Sequence, residues 1–420
     1  MSNTNTMNNT QSESNNITFK LLLISTWFLG VMAVKFILPS LPNIAEQLHT
    51  TSTLAKYTIS LFLFGKALGM IAFGPLSEKY GRKIFMLIGL ALFTLGNLIA
   101  YTSTTITILL IARFIQGLGV SATVMIGRAM INDKYKNNKA AVVFSHIFLA
   151  ASVVIAFLPM LGSLIATYYQ WQITFIIMAA YSLIIFILCF FFLQETHDDH
   201  SNVTLTLNNV FNYYKMITSH PVFLGYVLCS IFMIAGESAF NTASSFLFIK
   251  TFGISKTTYG MLITSLAVGH LIGTLICGQL VKKYDLVNMM GTGVTILAVS
   301  TLSMTIFVSL GFNNLPMIII PMIIYYIGTG FVMTITSVGT AVPFPKLIGI
   351  SSAASLSLNF TFSAVSSAVM SHLPTHTAGP VSLLIAGLGV AAFISWYILI
   401  APNREANEAG KLAMNESGNR

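Results

Sequence analysis

The sequence predicts an all-α integral membrane protein of twelve transmembrane helices in two pseudo-symmetric six-helix halves. Three observations carry that prediction. Hydrophobic residues fill 55% of the 420 positions and charged residues only 8%, where a soluble domain carries about 25% charge. Twelve apolar stretches follow one another between turn or charge signals, each of a length to cross a hydrocarbon core at ~20 residues per span. The longest polar connection, Gln194 to His220, falls after the sixth stretch, as in membrane folds built from repeats.

The first nineteen residues are Asn-, Ser- and Thr-rich and read as a disordered tail, without the charged, apolar and small-residue succession of a signal peptide. The spans then run 20–41, 54–77, 84–102, 106–131, 140–165 and 171–193, giving a first bundle over 20–193. A linker at 194–220 leads to spans 221–249, 257–280, 287–309, 315–340, 347–371 and 377–400, a second bundle over 221–400, and a tail at 401–420. With the amino terminus inside, nearly all loop Lys and Arg residues lie on the cytoplasmic side, against Lys56, Lys250 and Lys256 opposite. Both termini are therefore expected in the cytoplasm, with the protein in a bacterial inner membrane.

This composition excludes a water-soluble enzyme. The net charge of +9 reflects basic cytoplasmic loops, so no nucleic-acid partner is expected. Cys189, Cys229 and Cys277 all sit in apolar runs and read as small core residues; no metal or other cofactor is expected. No paired carboxylates, nucleophile motif or metal-ligand spacing suggests catalysis within the membrane.

Four Lys or Arg residues and one acid lie within the spans beyond their opening residues: Lys35, Lys66, Arg113, Arg128 and Glu237. A charge near the bilayer centre costs ~2.5–3.5 kcal/mol on insertion scales, so such groups face a cavity and partner one another. Arg128, close to the end of the fourth helix, also fits snorkelling or a loop contact. Lys35 and Glu237 occupy matching depths in the first helix of each half, which predicts that they meet, directly or through a ligand. Asn241 shares a helix face with Glu237 at i, i+4, as Gly117 does with Arg113. His270, in the eighth helix, is a candidate proton relay.

The loop Gly74-Pro-Leu-Ser-Glu78-Lys79-Tyr-Gly81-Arg82-Lys83 joins the second and third spans, and it resembles the signature loop of the major facilitator superfamily. Leu38-Pro39-Ser40-Leu41-Pro42, Arg113 with Gln116, Gly117 and Gly119, Arg128 with Asp133, Trp171 with Phe175, and Glu195-Thr196 narrow the resemblance to the Bcr/CflA type of drug:proton antiporter. The resemblance implies a proton-coupled secondary transporter working by alternating access as a monomer in the bilayer, with a small-molecule substrate and protons as partners. It also implies a cytoplasmic latch of Gly74, Glu78, Gly81, Arg82, Arg128 and Asp133. Gly74 would admit a neighbouring backbone and Gly81 a permissive φ. Glu78 would accept from a facing helix N-terminus or pair with Arg128, and Arg82 would pair with Asp133.

Departures from that pattern bear on the substrate. Lys35 stands where this group carries an acid, Lys66 stands at a normally apolar position, and Ser163 replaces a glycine in the fifth helix. Lys35, Lys66 and Arg113 then make a cationic cavity with Glu237 its one membrane acid. Such a cavity attracts anions and rejects lipophilic cations. The substrate expected on this reading is anionic, of the carboxylate-siderophore or organic-acid class, with Glu237 coupling protons. Asn241, Tyr325, Tyr326 and Trp27 are further lining candidates, and the direction of transport stays open. The alternative is a multidrug efflux antiporter for neutral or cationic drugs whose lysines are structural, in which Lys35→Ala keeps efflux.

Overall fold

The computed structural model describes residues 2–135, 143, 156–196, 215–281, 283–344 and 348–403. Its long helices are α1 (Ser2–Lys35), α2 (Ser52–Tyr80), α3 (Arg82–Tyr101), α4 (Ile106–Lys134), the described part of α5 (Ala156–Tyr168) and α6 (Trp171–Phe192). The second half comprises α7 (Pro221–Ser245), α8 (Lys256–Leu280), α9 (Leu286–Ser309), α10 (Leu315–Gly339), α11 (Ile348–His372) and α12 (Gly379–Ser395). Eleven of these elements, with their short helical extensions, are long and apolar enough to cross a membrane. The twelfth is α5, whose expected residues 140–155 lie largely outside the described ones, as do 197–214 of the linker and 404–420 of the tail.

Helical backbone satisfies its own polar groups, which a lipid environment demands. Starts are marked by short polar side chains: Thr51, Thr105, Ser255, Asp285 and Asn314 each accept from an amide three residues on. One expectation is corrected at the amino terminus. The polar segment before Ile17 is helical from Ser2 rather than a disordered tail, because local hydrogen bonds continue the helix beyond the apolar span that begins at Ile17.

Helix α1 stops at Lys35 for a local reason. Its carbonyl would accept from residue 39, and Pro39 has no amide hydrogen. A single tight turn, Leu38–Ser40, and a short helix, Leu41–Gln47, carry the chain onward.

Within each half, the second and fourth helices touch backbone to backbone. A β-carbon at Gly117 of α4 would strike the Phe62 carbonyl of α2 and lie 2.8 Å from the Lys66 nitrogen. At the corresponding contact of the second half, a β-carbon at Gly330 of α10 would lie 2.6 Å from the His270 carbonyl of α8. Small residues let membrane helices approach in this way, since lipid tails give no hydrophobic push.

Helix α11 packs against both α2 and α7 and so joins the halves. The Ser367 hydroxyl sits 2.8 Å from both Ser60 of α2 and Thr242 of α7. The end carrying Lys79, Arg82, Lys83 and Lys134 is here termed the basic end. At the opposite, far end the halves are tied together. Lys56 Nζ donates to the Leu373 carbonyl at 3.0 Å and to the Met370 carbonyl at 3.5 Å. The Tyr57 hydroxyl lies 2.6 Å from His372 Nε2, Lys256 Nζ donates to the Ala166 carbonyl at 2.7 Å, and Lys250 pairs with Glu46. Ser163, the departure noted in α5, donates to the Lys256 carbonyl at 2.6 Å and belongs to the same seal.

Gly117→Val would force α2 and α4 apart, and overpacking of this kind costs ~1–3 kcal/mol. The expected result is a lower unfolding temperature in detergent than for the native protein; an unchanged temperature would contradict the contact.

Candidate transport site

Lys35 ends α1 near the middle of its span, and Glu237 lies near the middle of α7. Lys35 Nζ is 3.5 Å from Glu237 Oε1 and donates to Asn241 Oδ1 at 3.2 Å. Asn241 Nδ2 in turn donates to Glu237 Oε1 at 3.5 Å. The i, i+4 spacing on α7 thus presents a carboxylate and an amide to one ammonium. The side chains of Lys35 and Glu237 keep 11% and 30% of their surface accessible, so the pair is not fully sealed from solvent.

Two other elements close on this cluster. His270 of α8 holds Thr329 of α10 at 2.8 Å through Nδ1 and lies within electrostatic range of Glu237 and Lys35. Tyr326 of α10 is buried beside Glu237. Tyr325, also expected to line the pathway, is a packing residue: it is 1% exposed and its hydroxyl donates to the Met233 carbonyl at 2.6 Å.

The remaining cations separate. Arg113, expected in the cavity, has no accessible surface. Its Nε donates to the Thr58 carbonyl at 3.1 Å, another guanidinium nitrogen donates to Gln116 Oε1 at 2.6 Å, and the group lies over the Phe62 ring. Gln116 continues the chain to Asn97 Oδ1 at 3.1 Å. Arg113, through Gln116, therefore cross-links α2, α3 and α4: carbonyl and amide acceptors inside the first half take two of its three guanidinium nitrogens. Lys66 is buried with its charge turned to the other half, Nζ 3.7 Å from the centre of the Phe360 ring on α11.

At the basic end, Arg82 Nε meets Asp133 Oδ2 at 3.1 Å, and Gly81 has φ 103°, a conformation that favours glycine. Three latch expectations are corrected. Glu78 pairs within its own turn with Arg82 at 3.6 Å, which draws it away from Arg128. Arg128 instead lies over the Trp27 ring at 5.5 Å. Gly74 admits no close backbone, since a β-carbon there would meet only Met125 Cε at 3.6 Å. The acceptor for a facing helix N-terminus is Glu195, whose two carboxylate oxygens take the Arg82 and Lys83 amides at 2.9 Å each. That carboxylate satisfies two orphan donors of α3 and faces its positive dipole end. The signal was present in Glu195-Thr196, which follows α6 directly.

An open cleft of about 390 Å³ lies at the far end, lined in part by Lys56, Lys250, His372 and His376. Lys56, Lys250 and His372 are engaged by the contacts that close the seam, so the cleft is a surface of the seal and separate from the midspan cluster.

With the repeated bundles and the Arg82–Asp133 loop in place, comparison with known proteins is decisive. The Major Facilitator Superfamily model matches residues 23–338. The chain belongs to the Major Facilitator Superfamily. It is 24% identical over 371 residues to the bicyclomycin resistance protein homolog of Haemophilus influenzae, covering 88% of this chain and 93% of that protein. Multidrug resistance protein D of Escherichia coli is 24% identical over 384 residues, covering 91% and 95%. Both fit the Bcr/CflA type. Multidrug resistance protein MdtL of Shewanella oneidensis is 32% identical over 215 residues, 49% of this chain and 54% of its own. Among solved structures, the nucleoside transporter NupG superposes with TM-score 0.71 at 15% identity over 91% of this chain and all of that one. A D-xylose-proton symporter gives 0.69 at 16%, covering 92% and 98%. These two show the shared fold.

Glu195→Ala removes the cap from α3. A lost N-terminal cap costs ~0.5–2 kcal/mol, so the unfolding temperature should fall, with Glu195→Gln intermediate; equal stability of all three proteins would refute the capping role.

Proposed function

We propose that this transporter exports small amphipathic compounds in exchange for protons, with the Lys35–Glu237–Asn241 cluster as the exchange site. The observation that carries this reading is the contact of Lys35 with Glu237 at 3.5 Å. One charge belongs to each half, and the two neutralise one another at mid-depth in a place not fully sealed from solvent. Protonating Glu237 would free Lys35 and loosen the halves, which is a means of coupling a proton to a conformational change. The relatives named for bicyclomycin and multidrug resistance support export of drug-like compounds.

The geometry weighs against a cavity built for multiple carboxylates. Lys35 is compensated by Glu237, and Arg113 is spent inside the first half, which leaves Lys66 as the remaining cation of the three. It weighs equally against lipophilic cations, which Lys66 would repel. Neutral and monoanionic amphipaths fit best. The far-end seal and the Lys56 and Lys256 contacts would then face the exterior, with both termini in the cytoplasm and the monomer as the working unit in a bacterial inner membrane.

The test is flux in proteoliposomes with an imposed pH gradient, using a panel of neutral, anionic and cationic amphipaths. Gradient-driven flux of neutral or anionic members, lost in Glu237→Gln and reduced in Lys35→Ala, is the expected outcome. Gradient-driven flux that survives both substitutions would overturn the coupling role.

A further inference from the structure

Lys66 is left with a charge that the exchange site does not use. It is 8% exposed. Among the described residues its ammonium has no carboxylate at ion-pair distance and no hydrogen-bond acceptor; its neighbour is the face of Phe360 at 3.7 Å. A buried cation in a membrane protein needs an acceptor, and an aromatic face is a weaker partner than an anion. Phe360 lies on α11 of the second half and Lys66 on α2 of the first, so the ring reaches across from the opposite half to cover the charge.

The surroundings define what could replace that ring. A β-carbon at Gly30 of α1 would lie 3.6 Å from Lys66 Nζ. Gly30 precedes Lys35 by five residues, which puts Lys66 roughly 7–8 Å along the helix axis from the exchange site, toward the basic end. Arg128 lies within electrostatic range of Lys66 and covers the Trp27 ring at 5.5 Å. Two cations and two aromatic rings, drawn from α1, α2, α4 and α11, therefore share one neighbourhood.

We infer that Lys66, Phe360, Arg128 and Trp27 form a subsite for a planar aromatic monoanion, with Phe360 setting specificity. The ligand's carboxylate takes the Lys66 ammonium in place of the Phe360 face, and its ring stacks on the aromatic side chains. The absence of a ring of matching polarity makes an aliphatic acid a poorer ligand, and the positive surroundings reject an aromatic amine. This inference rests on the export reading above and names the substrate class within it.

The experiment measures binding of 2-naphthoate and its neutral analogue 2-naphthamide to the purified full-length protein by calorimetry. Native protein should prefer naphthoate by about tenfold or more, as a charge-assisted contact implies. Lys66→Gln should reduce the preference to about twofold or less, and Lys66→Arg should keep it. Equal binding of the two compounds by native protein, or a preference unchanged in Lys66→Gln, overturns the subsite. The two readings separate cleanly. Glu237→Gln that stops gradient-driven flux yet keeps the naphthoate preference supports both, and naphthoate preference in a protein with no gradient-driven flux removes the export reading alone. Flux of neutral amphipaths without naphthoate preference removes the subsite alone.

Discussion

Hydrocarbon leaves a polar group no solvent, and the rest of this structure follows from that constraint. Backbone amides are satisfied within helices. Helices then approach through glycine, as at Gly117 and Gly330, because dispersion between close backbones replaces the hydrophobic push available in water. Charged side chains must find partners from their own protein, and each does so differently. Arg113 is absorbed by carbonyl and amide oxygens of its own half, Lys35 by a carboxylate of the other half, and Lys66 by an aromatic ring of the other half. The order of partner strength is also an order of availability to a solute.

The two ends of the molecule use different acceptors. At the basic end, carboxylates of Asp133, Glu78 and Glu195 surround Arg82 and its helix start. These contacts lie within the first half and shape the loop between α2 and α3. At the far end, Lys56 and Lys256 donate to backbone carbonyls across the junction of the halves. A lysine that caps the carbonyl-rich end of α11 gains from the helix dipole as well as from the hydrogen bond. The far end is thereby sealed in this conformation.

Much of this was legible in the sequence. Span positions followed from apolar length and from turn and charge signals, so α2, α4, α8 and α10 start and stop within a few residues of expectation. Matching depth in the two halves pointed Lys35 toward Glu237, since repeat symmetry constrains depth even where it leaves rotation free. Rotation is what failed elsewhere. Arg113 has the same span position a cavity residue would have, and only the direction of its face, toward Thr58 and Gln116, sends it into the packed interior. In the sequence, Lys56, Lys250 and Lys256 speak only to topology. Their scarcity on that side was a second signal, because the few cations kept there hold the halves together. Phe360 carried no signal at all: one aromatic among 31 phenylalanines gains meaning only when a lysine from another helix lies beneath it.

The opposite charges of Lys35 and Glu237 sit on the two bodies that must separate if the halves rock. Drawing such a pair from 3.5 Å to about twice that distance costs about 2 kcal/mol at an effective dielectric constant near 20. A barrier of that size slows a movement roughly thirtyfold. On the proposed exchange reading, the pair would brake the empty carrier, and whatever discharges either partner would release it. Slippage, the futile return of an unloaded transporter, would then be held down by a single contact between the halves.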